Sequence, residues 1–292
     1  MNRKALLIIS LFVFITFSQT TIAQNKDEYD ILRDELRGKV KSVNEKHYEE
    51  KRIFFGLIPI KEEFSDKYME FNKDRNIIYE NKQSNKVGYR DIIFFKYNER
   101  GNCVELIGYQ YKKGKKDEKC DHQNNYEYIY NEKGNITEMK TYFYNKLLYT
   151  SYYKYDEKGN CIEELNKKPE DSTFTKYIFT LNSNGNMILF ESYNSLGIYG
   201  SKIIYTLDDK GNTIKSEWFL KDNIKPHETL YIYNIKGNVI MEISYNNFKN
   251  YYYANIFKYK YDSRGNWIKK TEYNEEGKIV KITKRKIKYY ND

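Results

Sequence analysis

Cys120-Asp121-His122 is the tightest grouping of reactive side-chain types in the chain. A thiol beside an imidazole and a carboxyl could form a nucleophile or a metal pair. The run falls in a polar stretch from Lys112 to Asn125 that reads as an exposed insertion, and incidental placement explains it better. His47 and His227 stand apart from it, and no spacing fits a His-Glu-x-x-His or Cys-x-x-Cys zinc motif. There is no phosphate loop, no Gly-x-Gly-x-x-Gly and no Gly-x-Ser-x-Gly. The 41 acidic residues offer no pair that stands out as a glycosidase couple. Leu207 to Asn212 faintly resembles a calcium loop but lacks the distal glutamate. No catalytic residue, metal ligand or cofactor follows, and the reading is that the chain is not an enzyme.

Aromatic side chains are the remaining candidates. Trp218, Trp267 and the run Tyr251-Tyr252-Tyr253 can stack on sugar rings or on a partner surface. Three consecutive tyrosines on a strand cannot all face one way, so the triplet is the better candidate. Most other tyrosines alternate along strands, where cross-strand packing accounts for them.

The elements that must hold these side chains are repeats. Gly-Asn recurs at Gly101, Gly134, Gly159, Gly185, Gly211, Gly237 and Gly265, with spacings of 33, 25, 26, 26, 26 and 28 residues. Asn or Asp stands three residues before each glycine, and Tyr or Leu stands four before it. A degenerate copy, Phe71 to Asn76, places Arg75 where the glycine belongs. Asn or Asp opening a type I turn, with glycine at a positive-φ position, is hairpin chemistry. Before the turn, Tyr126, Tyr128 and Tyr130 share one parity and read as a half-buried strand. After it, an apolar residue three past the glycine and an aromatic eight past it have opposite parity. Either a bulge intervenes or both faces are covered.

The expected fold is all-β: tandem hairpins of about 26 residues forming an elongated, curved antiparallel sheet or solenoid. Residues 61–292 form the repeat domain. Residues 24–60 read as an N-terminal cap, with a short helix over 27–37 and a first strand over 39–51.

The N-terminus concerns location. Arg3 and Lys4 precede a 13-residue apolar stretch from Ala5 to Phe17, and small residues follow at Thr21 and Ala23. This reads as a signal peptide, residues 1–23, too short to span a bilayer. No later stretch is apolar enough to cross a membrane. The expected location is exported: periplasm, cell surface or secreted. Loss of Arg3 and Lys4 takes the net charge from +9 to +7. The charges are mostly mixed in sign along the strands, as at Lys269-Lys270-Thr271-Glu272, which argues against a nucleic-acid partner. Cys103 and Cys161 occupy equivalent places in different repeats and are expected not to bond, since stacked strands hold them too far apart.

Tyr-x-Tyr-Asp-x-x-Gly-Asn, as in Tyr153 to Asn160 and Tyr259 to Asn266, resembles the tyrosine-aspartate repeat of the RHS family. Tyr261 to Trp267 looks like the small exported members common in Bacteroidetes. The resemblance covers about residues 70–292. It implies a curved sheet of hairpins, which in large members forms a shell around a toxin cargo. The leading expectation is an exported, non-enzymatic repeat protein that binds a glycan or an envelope protein. The alternatives are a structural or encapsulating part of a toxin delivery or immunity system and, behind it, a hydrolase.

Overall fold

The computed structural model describes residues 36–53, 58–85, 88–112, 120–170, 173–220, 226–246 and 251–291. The expected signal peptide, residues 1–23, and almost all of the expected 27–37 helix lie outside them. Among the described residues there are eighteen strands. The first six are β1 (Val40–Ile53), β2 (Ile58–Phe71), β3 (Ile77–Ser84), β4 (Tyr89–Tyr97), β5 (Cys103–Lys112) and β6 (Cys120–Tyr130). Then come β7 (Ile136–Phe143), β8 (Lys146–Tyr155), β9 (Cys161–Lys167), β10 (Phe174–Leu181), β11 (Met187–Asn194) and β12 (Tyr199–Leu207). The last are β13 (Thr213–Leu220), β14 (His227–Tyr233), β15 (Val239–Asn246), β16 (Tyr251–Tyr261), β17 (Trp267–Tyr273) and β18 (Ile279–Tyr289).

Every strand pairs antiparallel with its sequence neighbours, and β1 pairs with both β2 and β18. The sheet therefore closes into an 18-stranded barrel. This corrects the expectation of an open curved sheet or solenoid. The Gly-Asn repeat encodes each hairpin, but nothing in a single hairpin encodes the strand number at which a curved sheet meets itself. Closure depends on β1, which pairs on both edges and leaves the ring without a free end.

The turns are built as the residue types require. At Asp156, the Gly159 N–H donates to the Asp156 carbonyl (3.1 Å) and the Asn160 N–H to the Asp156 carboxylate (2.8 Å). The same pattern recurs at Asn98, Asn182 and Asp208. The seven repeat glycines have φ between 78° and 85°, and Arg75 adopts 69° in the degenerate copy. At Gly211 a second constraint acts: an added Cβ would lie 2.7 Å from the Asn186 side-chain nitrogen of the preceding turn. Asn76, Asn135 and Asn160 pack in the same way under Gly101, Gly159 and Gly185.

A bulge follows each Gly-Asn turn. Tyr155 pairs with Cys161 and Lys154 with Glu163, leaving Ile162 unopposed. The same shift follows the turns at Tyr97, Tyr130, Leu207 and Tyr261. This settles the parity question, because the extra residue flips the alternation.

The repeat tyrosines have a role beyond alternation. The Tyr97 phenol donates to the Ile77 carbonyl (2.6 Å), Tyr155 to Ile136 (2.6 Å) and Tyr233 to Thr213 (2.7 Å). Each latches its hairpin onto the start of the strand before it. Where leucine replaces tyrosine, at Leu181 and Leu207, the side chain packs against a cluster of Cys161, Phe179, Met187 and Tyr205.

Paired residues share a face, so the registers divide the side chains into two walls. One set includes Val43, Met69, Ile77, Cys161 and Met187, each at most 2% exposed. The other carries cross-strand ion pairs such as Lys96–Glu105, Lys154–Glu163 and Lys215–Glu228. In a closed ring the concave face is the crowded one, and the buried set therefore lines the interior. Eighteen upright strands about 4.8 Å apart would make a circular ring roughly 27 Å across. Side chains cannot meet across that width. The two apolar clusters are accordingly built from neighbouring strands, one around β1 to β3 and one around β9 to β12.

Candidate functional site

The barrel has two rims. One holds the Gly-Asn turns and the other the variable loops. Trp218, near the variable rim on β13, belongs to the inner set and is 39% exposed. Its ring lies 5.8 Å from that of His227, its partner on β14. The tyrosine triplet splits as the strand period demands. Tyr253 takes the inner wall at 36% exposed, opposite Ser244, and Tyr252 the outer wall at 61%. The Tyr251 side chain lies outside the described residues. Next to Tyr253 along the inner wall, the Ser244 and Thr229 hydroxyls meet at 3.0 Å. Trp218, His227 and Tyr253 thus lie on the inner wall over β13 to β16.

Trp267 is not part of that patch. It sits at the Gly-Asn rim, with the Arg285 guanidinium 3.4 Å from its ring centroid and Tyr259 edge-on at 6.2 Å. The seven turn glycines likewise occupy the rim and hold the scaffold. Cys120, Asp121 and His122 open β6 instead of lying in a loop, with His122 paired to Gln110. Their side chains lie outside the described residues. Cys103 and Cys161 are free thiols on β5 and β9, four strand spacings or roughly 19 Å apart around the wall. Burial pushes the Cys161 thiol up to about 12, which keeps it protonated and inert.

Two inner-wall carboxylates were not singled out from the sequence. Glu45 on β1 lies between Arg285 of β18 (2.6 Å) and His47 (3.0 Å), and His47 also meets the Thr283 hydroxyl at 3.1 Å. Burial alone would raise the Glu45 pKa. The His47 hydrogen bond and the charge of Arg285 outweigh it and hold the carboxyl at about 2. Glu164 on β9 is flanked in register by Tyr153 and Tyr177. Burial pushes its pKa up, opposed by the Asn166 side chain. A charged residue five places past a repeat glycine was the available signal. It could not be read as inward until the bulge was known.

Among the described residues no cluster of His, Cys, Asp and Glu has the make-up of a metal site. No helix is long and apolar enough to cross a membrane. The outer wall carries Lys96, Glu105, Lys154, Glu163, Lys176 and Lys215 in mid-strand positions, whereas a lipid-facing barrel wall requires an apolar band.

No family model matches the chain, and no curated protein matches it. Among solved structures, a porin-like protein from Bacteroides uniformis shares 10% identity, covering 87% of this chain and 98% of its own, with a TM-score of 0.48. A porin-like protein from Bacteroides vulgatus shares 9% identity over 87% and 99%, with a TM-score of 0.28. A chain of the TcdB2-TccC3-Cdc42 complex shares 11% identity over 74% of this chain, which spans 14% of that one, with a TM-score of 0.32. At these scores the likenesses carry no argument about function.

Proposed function

We propose that the chain is an exported, non-enzymatic barrel that stands in water and binds a glycan on its inner wall near the variable rim. The observation that carries this reading is the exposure of Trp218 and Tyr253 on the face that carries the buried core. Sugar recognition joins an aromatic ring for the C–H face of a pyranose to polar groups for its hydroxyls. Trp218 and Tyr253 supply the rings, and the Thr229–Ser244 hydroxyl pair and His227 supply the polar groups. The ion-paired outer wall supports an aqueous exterior, and the signal peptide supports export to the envelope or beyond. No cofactor is needed.

The test is a survey of purified residues 24–292 against immobilised cell-wall and host glycans. Saturable binding that falls at least tenfold in Trp218→Ala and Tyr253→Ala, with unchanged circular dichroism, is the expected result. A folded wild-type protein that binds no glycan would overturn it. Ring closure also favours a second reading, a shell of the tyrosine-aspartate repeat kind around a partner chain from the envelope or a toxin system. Protease protection of a co-expressed partner would support that reading.

A further inference from the structure

Glu164 faces a stretch of inner wall with an unusual composition. Tyr153 of β8 and Tyr177 of β10 flank it in register, and Tyr149 and Tyr126 lie further along the same wall on β8 and β6. The charge of Glu164 reaches Tyr149, Tyr153 and Tyr177. The inner set of β7 to β12 has one lysine, Lys146, at the rim and paired with Glu170 at 2.7 Å. The lysines further along these strands, such as Lys154, Lys176 and Lys202, belong to the outer wall.

The same stretch holds buried polar atoms whose hydrogen bonding is incomplete. The Thr141 and Ser151 hydroxyls and the Asn166 carbonyl oxygen are buried and make no hydrogen bond of ordinary length and angle. Ser151 is 0% and Thr141 4% exposed. Thr175, the cross-strand partner of Asn166, lines an open cleft of about 250 Å³ together with Ser192, Asn194 and Tyr199. Ligand pockets run from about 300 Å³ upward, so this one suits a small ligand.

A carboxyl, flanking aromatic rings, buried acceptors and no facing cation among the described residues are complementary to a small cation rich in N–H donors. We propose that this wall, from Glu164 to the Thr175 cleft, is a binding site for a primary ammonium group carried by an amino sugar or a short aliphatic amine. Glu164 pairs with the charge, Asn166 accepts an N–H bond, and the Tyr153 and Tyr177 rings flank the ammonium. The burial that raises the Glu164 pKa is offset once a cation is bound beside it. The site lies away from Trp218 and Tyr253 and stands or falls independently of the glycan reading.

The test is calorimetric titration of the purified protein at neutral pH with glucosamine, putrescine and the neutral N-acetylglucosamine. Saturable binding of an amine, absent for N-acetylglucosamine and weakened at least tenfold in Glu164→Gln, is expected. Glucosamine alone would assign an amino sugar, and putrescine alone or both amines would assign the ammonium itself as the determinant. Tyr177→Leu, which keeps the carboxyl and removes a ring, should weaken binding severalfold and leave Trp218-dependent binding unchanged. Neither amine binding, or amine binding untouched by both substitutions, would overturn the proposal.

Discussion

At the β1–β18 seam Glu45 touches Arg285 and His47, and Arg285 in turn covers Trp267. Halfway round the ring, Glu164 faces tyrosines and, among the described residues, no cation. Both carboxyls lie on the inner wall, and their pKa values move in opposite directions, Glu45 to about 2 and Glu164 upward. The seam spends its charges on closing the barrel. The far wall leaves a carboxyl bonded to the neutral Asn166 side chain and without a charged partner among the described residues. Charges neutralised within the fold hold strands together, whereas an unneutralised one is available to a ligand.

The sharpest way to break this comparison is Arg285→Ala. It strands the buried Glu45 carboxylate and uncovers Trp267, and the fold should lose roughly 3–5 kcal/mol in denaturant unfolding. A loss under about 1 kcal/mol would show that His47 suffices and that the seam is no stronger than its neighbours.

Replacing each carboxyl separates the walls by sign. For Glu45 the folded pKa lies below the unfolded value of about 4.3, so its contribution is present above pH 4.3 and lost as pH falls toward 2. Glu45→Gln should therefore cost about 3 kcal/mol at neutral pH and abolish that acid-limb dependence. For Glu164 the folded pKa lies above the unfolded one, so the group opposes folding increasingly as pH rises through that interval. Glu164→Gln should be neutral or stabilising at pH 7. Unfolding curves from pH 2 to 8 check both, and a shared sign would remove the distinction between the walls.

Much of the scaffold was legible from local residues. Asn or Asp three before glycine marks a capped turn wherever it occurs, and Arg75 was recognised as a glycine position despite its side chain. The wall contrast was not legible. Its inward charges at Glu80, Glu164, Glu242 and Lys270 all stand five past the glycine position, and the bulge decides whether that place faces in or out. Closure was hidden for a different reason. Glu45 and Arg285 are 240 residues apart, and no periodicity relates them. The aromatic candidates show the same limit: Trp218 and Trp267 looked alike in sequence, yet Arg285 covers one of them and leaves the other open.

Smaller effects compare the phenols of the two regions. At the seam Tyr289 donates to the Asp262 carboxylate and accepts from Asn266 at 2.8 Å. On the far wall Tyr155 donates to a neutral carbonyl. Hydrogen bonds to charged groups are worth about 1.5–3 kcal/mol and neutral ones about 1. Tyr289→Phe should therefore destabilise by about 2 kcal/mol and Tyr155→Phe by about 1 kcal/mol. Equal losses in thermal unfolding would mean that the seam charge adds nothing at the rim.

The smallest expected effect tests whether the contrast is confined to the inner wall. Lys46–Glu63 near the seam and Lys154–Glu163 on the far side are outer-wall pairs at 2.9 and 2.7 Å, with lysine side chains 44% and 69% exposed. Water screens both lysines, and exposed pairs contribute about 0.2–1 kcal/mol wherever they sit. Lys46→Ala and Lys154→Ala should each shift stability by no more than about 0.5 kcal/mol and by the same amount within error. Raising the salt concentration should remove even that difference from wild type, while the Glu45–Arg285 contribution persists because the pair is screened far less. A large loss for Lys46→Ala alone would extend the seam to the outer wall, and closure would then rest on both faces of the sheet.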